Sequence, residues 1–302
     1  IETGAGTLAF NGSIGEANAA HLDALFINDT AGTDYTAAIT IPQIGTHGTR
    51  PGVQGITTIG NANSTSVTFG SGGHQFSGGQ TTITAAGDII TPANANIKSD
   101  DNIKLDPGTG SLKFTGDFDL VSTGNKTIEI AGNSLAVDAG GSVDTLTIVS
   151  GEGSGATNGT ITMGGTIGSG ELKTVSLTAG TAINLGGNIT IGAINGGTVD
   201  IDGPAVLTAA VDIDANAANT TIGFTSTINN DDSGTVRDLT LDTGAGTITV
   251  GGIIGGGTGI GIIDINKTDG TGAITLAGIG NSSANSNAGA AGNTGIVEIG
   301  NT

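Results

Sequence analysis

Aliphatic residues spaced two apart recur along most of this chain, with small polar residues between them and glycine-rich turns after them. Ile248 and Val250 show the spacing, as do Leu239 and Leu241. A period of two puts such pairs on one face of a β-strand, and Thr and other small polar residues fall on the opposite face. Gly, Asn and Asp occupy the positions between runs, where turns need positive φ. Residues 15 to 25 fit a short helical turn, but the spacing of Leu22, Leu25 and Ile27 favours strand.

Two patterns repeat. The first reads Gly, small hydroxyl, aliphatic, any, apolar, any, Gly, any, apolar, and it runs over 6–14, 110–118, 159–167 and 246–254. The second reads apolar, any, any, aliphatic, any, aliphatic, and it begins at Leu22, Val143, Leu172, Val236 and Ile260. Three copies of the second follow a copy of the first, and a short strand such as 182–185 or 273–276 comes next. The unit restarts after roughly 22 to 26 residues, the period of a solenoid. Each strand is too short to stand alone, so equivalent strands of successive repeats stack into parallel sheets around a shared apolar interior. The expectation is an all-β chain folded as a right-handed parallel β-helix, since parallel crossovers take that hand. At about 23 residues per rung and ~4.8 Å between rungs, the chain makes ~13 rungs and a rod of ~60 Å.

The whole of 1–302 reads as one β-solenoid. Residues 107–280 fit the pattern best. Residues 28–65 fit worst; Tyr35, Pro42, His47, Arg50 and Pro51 fall there, which predicts a loop excursion from the coil. The stretch 281–292 is almost all Ser, Asn, Ala and Gly and reads as a flexible loop.

Composition narrows the core and the partners. Hydrophobic residues make up 36 % but aromatics only 3 %, so small branched side chains fill a narrow interior. The net charge is −19 with only eight Lys and Arg, which argues against nucleic acid and against anionic membrane surfaces. The longest uncharged apolar stretch, 251–263, is more than half Gly and is no transmembrane helix, so membrane insertion is not expected. With no Cys there is neither a disulfide framework nor thiolate chemistry. The chain opens Ile1, Glu2, Thr3 without a signal-peptide pattern and reads as a mature chain or a part of a larger one.

Candidate chemistry is sparse. His21, His47 and His74 lack metal-ligand spacing. Residues 151–156 match a dinucleotide-type glycine pattern, but the next segment reads as strand where the phosphate site needs a helix. Asp117 with Asp119, Asp200 with Asp202, and Asp212 with Asp214 are carboxylate pairs at strand spacing. That is the simplest geometry for glycosidic cleavage, but the chain has few aromatic platforms for sugar and the pairs read as solvated faces. Asn229, Asn230, Asp231 and Asp232 form a loop dense in hard oxygen ligands, a candidate calcium site beside the favoured reading of a solvated turn. Asp100, Asp101 and Asn102 form a similar loop. Asn28, Asn63, Asn125 and Asn266 head glycosylation sequons of the kind that arise by chance in such a chain.

The run 239–254 resembles the β-helical repeats of filamentous-haemagglutinin-like adhesins and autotransporter passengers, and the resemblance extends over most of 60–280. It implies export, a right-handed β-helix, display at the bacterial cell surface, and work by contact. The amino-terminal secretion cap and carboxy-terminal membrane barrel of those families are not evident in the sequence. The expected function is therefore an extracellular structural or adhesive rod segment of a larger secreted protein, with no enzymatic activity. Its partner is a cell-surface or matrix ligand. The alternative is a self-assembling subunit of a fibre, sheath or surface layer, stacking copies of itself end to end. A polysaccharide-degrading β-helix enzyme stands third.

Overall fold

A computed structural model describes residues 1–15, 21–30, 35–45, 52–92, 95–132, 134–137, 144–152, 158–168, 172–192, 196–216, 219–232, 234–266, 270–280 and 296–300. Among these the regular elements are β-strands, and they pair in parallel. The chain enters one ladder twelve times, from Thr7–Ala9 to Val297–Ile299. The remaining strands follow two parallel series. One runs from Gly73–Phe76 through Asp144–Glu152 and Leu172–Ala179 to Ile274–Ile279. The other runs from Leu25–Ile27 through Thr57–Ile59 and Ala182–Leu185 to Ile228–Asn230. The long strand Ile248–Ile254 turns the corner between these two and joins them. The result is a three-faced parallel β-solenoid.

Side-chain alternation follows directly from the pattern in the sequence. Strand Phe118–Thr123 is buried at every second residue, and so is Thr127–Ile130. Inward residues stack into columns. In the first ladder Leu112 lies beside Leu135, then come Ile167, Ile189, Ile213, Leu241, Ile265 and Ile299. All of these up to Ile265 are buried, and each such side chain contributes about 1.5–3 kcal/mol over an exposed one. Five of the seven Phe complete the interior, and Phe114 and Phe118 stack across a corner with ring centroids 5.5 Å apart.

The first sequence pattern turns out to mark corners and not one particular face. Its copies at 6–14 and 110–118 begin in the first ladder, while the copy at 159–167 leads from the third ladder into the first. The copy at 246–254 leads from the second into the third. All three corners make the same local demand, a strand, a glycine-bearing bend and another strand, so one motif serves each of them. Rung length also varies more than the period suggests. Ala205 lies beside Ile183 after 22 residues, whereas Val297 lies beside Ile263 after 34.

Within 28–65, Ala38–Ile41 and Thr57–Ile59 run in the ladders, because Ile39, Ile41 and Ile59 supply inward apolar positions. Residues 46–51 of that segment, and the expected loop 281–292, lie outside the described residues. One glycine column is fixed by close approach. A Cβ on Gly246 would stand 2.2 Å from Thr220 O, and one on Gly272 would stand 1.4 Å from Gly246 O.

Candidate functional site

The second ladder is the broadest face. Its strands Asp144–Glu152 and Leu172–Ala179 are nine and eight residues long, and most of their outward positions carry hydroxyls, the others being Val149, Glu152 and Lys173. Thr145, Thr174, Thr198 and Thr221 stand in one register, and Thr247 Oγ1 donates to Thr221 Oγ1 at 3.3 Å. Beside that column run Thr147, Ser176, Asp200 and Gly223. Asp200 and Asp202 both point outward on strand Thr198–Asp202. Burial pushes the Asp200 carboxyl above its ordinary value, and the Asp202 charge adds to this. Such a face offers many weak hydrogen-bonding groups and two carboxylates to a polar partner.

A second acidic grouping lies on the first ladder. Asp214 stands beside Asp242, and the neighbouring column runs Asp212, Thr240, Asp264, Glu298. Burial raises the Asp212 carboxyl, helped by the charges of Asp214 and then Asp242. Sequence spacing found the pair Asp212 and Asp214 but missed Asp242, Asp264 and Glu298, because rungs of different length bring them into register. Asp117 accepts from Thr145 N at 3.0 Å, so it ties one rung to the next.

Cations are unevenly placed along the rod. In the amino-terminal half, cations meet carboxylates between rungs: Lys104 with Glu129 at 2.9 Å, Lys113 with Asp88 at 2.7 Å, Lys126 with Asp101 at 3.0 Å, and Lys98 with Glu152. From residue 200 onward the chain holds eleven carboxylates against two cations. The two halves of the chain carry nearly equal net charge, but the carboxy-terminal half has fewer cations to pair with its carboxylates.

The candidate calcium loop is held together by its own side chains. Asn229 Oδ1 accepts from Gly257 N at 2.7 Å, and Asn230 Nδ2 donates to the Asp232 and Thr235 carbonyls. Asp231 faces Arg237 at 3.3 Å, and Asp232 Oδ1 accepts from Gly234 N at 2.8 Å. Asn229, Asp231 and Asp232 thus each commit an oxygen to a protein donor, while Asn230 Oδ1 is buried without a partner. The loop at Asp100 is similar: Asp100 accepts from Thr123 Oγ1 at 3.0 Å and Asn102 accepts from Thr127 N at 2.8 Å. There burial raises the Asp101 carboxyl, but the Asn102 N–H and Lys126 outweigh it and bring the group below its ordinary value. Among the described residues no three His, Asp or Glu side chains gather as a metal site.

The remaining candidates separate. His21 is exposed, His47 lies outside the described residues, and His74 is fully buried on Gly73–Phe76. Gly151 and Glu152 end a strand, 153–156 lie outside the described residues, and strand Thr160–Met163 follows. Two sequon asparagines do internal work. Asn28 and Asn266 are buried with positive φ, and Asn266 Oδ1 accepts from Thr243 N at 2.8 Å. Asn125 is exposed.

The outer surface also carries apolar side chains that sequence reading did not single out. Phe26 points outward on strand Leu25–Ile27, and Ile56, whose carbonyl accepts from Leu25 N at 3.0 Å, is exposed close by. Among the described residues no helix is long and apolar enough to cross a membrane. No family model, no curated protein and no solved structure matches the chain.

Proposed function

We propose that this chain is a non-catalytic rod of an extracellular bacterial surface protein, of the kind its repeats resemble in filamentous-haemagglutinin-like adhesins and autotransporter passengers. Its work is to hold contact surfaces at a distance and to present them to a cell-surface or matrix ligand. The observation that carries this reading is the continuity of the coil. The first ladder recurs from Thr7–Ala9 to Val297–Ile299, so most of the chain builds length and outer face. The hydroxyl-rich second face and the exposed pair Phe26 and Ile56 supply contact chemistry.

The test has two parts. Antibodies raised against the chain should label intact source cells without permeabilisation. Beads coated with the chain should adhere to matrix or cell surfaces. Phe26→Ser with Ile56→Ser should weaken that adhesion while leaving the melting transition in place, because both side chains lie outside the core. Labelling that requires permeabilised cells would remove the extracellular reading, and adhesion equal to that of bare beads would remove the contact role.

A further inference from the structure

Residues 70–79 place one short strand, Gly73–Phe76, between two groups of glycines. Gly72 before the strand and Gly78 after it both hold positive φ, 108° and 77°. Residues of this kind absorb large changes of φ and ψ, as a hinge requires. The strand is also held more lightly than others of the second ladder. Asp144–Glu152 has a full strand on each side. Gly73–Phe76 has Ala95–Ser99 on one side, but on the other a single bridge from Phe76 to Val53. The backbone bonds on that side are Gln75 N to Ile44 O at 2.8 Å, Gly52 N to Gln75 O at 3.0 Å and Ser77 N to Val53 O at 2.9 Å.

This lightly held strand carries a titratable group inward. His74 is fully buried, with its ring edge-on to Phe69. Nε2 lies against Gly70 O, so a second proton goes to Nδ1, which has no hydrogen-bond partner. Among the described residues, no charged side chain faces the ring to offset that proton. On Ala95–Ser99 the inward places are Ala95, Ile97 and Ser99, and Lys98 points outward to Glu152. On Ser66–Phe69 the inward places are Val67 and Phe69. The stretches 41–45 and 52–54 that bond to this segment hold no titratable residue. Asp100 and Asp101, which follow Ala95–Ser99, are engaged by Thr123 and Lys126.

We propose that residues 70–79 form an acid-operated flap, in which protonation of His74 drives strand Gly73–Phe76 out of the wall while the rungs beyond it stay closed. The charged ring is stabilised only where it reaches water, so acid favours the open form. Opening carries Phe76 out of the interior and uncovers Phe69, both fully buried in the closed coil, and so creates an apolar patch that the neutral protein lacks. The ring titrates at about 4 in the closed form and at 6.5 in the open one, so the open population rises roughly 70-fold between pH 7.5 and pH 4.5. The flap is a conformational device of the coil and does not depend on the surface role proposed above.

Residue-resolved hydrogen exchange on the intact chain, at pH 7.5 and pH 4.5 and corrected for intrinsic rates, reads the opening. The amides of Gln75 and Ser77 should lose protection by about that factor. So should those of Asn96 and Asp100, which donate to Gly72 O and Phe76 O. Strands Thr160–Met163 and Ala182–Leu185 should keep theirs. His74→Leu, checked for folding by circular dichroism, should hold the flap closed at pH 4.5; if it does not fold, His74→Gln takes its part. Unchanged protection at Gln75 and Ser77 in the wild-type chain overturns the proposal, whatever the variants do. So does an equal loss in Thr160–Met163 and Ala182–Leu185, which is opening of the whole coil, or a local loss that the folded His74 variant retains.

Discussion

The buried histidine offers the sharpest quantitative test. His74 stands in the second ladder beside Ile97, with no exposed surface, and its ring meets Phe69 edge-on at 4.8 Å. Nε2 lies 3.2 Å from Gly70 O, and this carbonyl partner assigns the proton to Nε2. Nδ1 is buried without a hydrogen-bond partner. Protonation would place a charge there that nothing neutralises. Burial accordingly lowers the pKa from 6.5 to about 4, with the Gly70 carbonyl opposing only in part. Between those two values the unfolded chain binds a proton that the folded chain refuses. Stability therefore falls as pH drops from 6.5, and the loss is complete near pH 4 at about 3 kcal/mol.

Urea denaturation at closely spaced pH values measures this loss, and His74→Leu should flatten the slope across the same window. Other groups act differently. Asp88 and Asp101 are held below their ordinary 3.8, so their contribution is lost only below that value. Asp200 and Asp212 are raised, so protonating them as pH falls favours the fold, and they do so equally in both proteins. A wild-type stability that stays flat from pH 6.5 to pH 4, or an unchanged slope in His74→Leu, would refute the reasoning.

Three further outcomes follow from particular contacts. Asn266→Ala strips Thr243 N and Oγ1 of the amide they share, so it should cost about 1–3 kcal/mol in urea denaturation, whereas Asn125→Ala on the exposed surface should stay within ~0.5 kcal/mol. Gly272→Ala drives a Cβ into the Gly246 carbonyl and should destabilise by more than the ~1 kcal/mol set by glycine's backbone freedom, with hydrogen exchange around Ile248–Val250 rising first. Excess chelator should leave the melting transition unchanged, because Asn229, Asp231 and Asp232 already take protein donors; a fall of several degrees would show that a cation holds the loop.

The sequence by itself determined the strands, their inward and outward faces, and the repetition that makes a solenoid. Those properties are local. An aliphatic residue at every second place and a glycine at the bend act within a few residues of chain, so Ile248 and Val250 announce their role without their partners. Net charge and the sparseness of chemistry were equally legible. Only the tertiary structure decided register. Corners absorb different numbers of residues, so Asp242 comes to stand beside Asp214 after 28 residues while Ala205 comes to stand beside Ile183 after 22. Nothing in the local pattern tells one corner from another, which is why a single motif serves all three. The same long-range stacking buried His74 and turned Asn28 and Asn266 inward. None of these three polar residues carries a local mark of burial, because whether a position is sealed depends on the rung above it and the rung below.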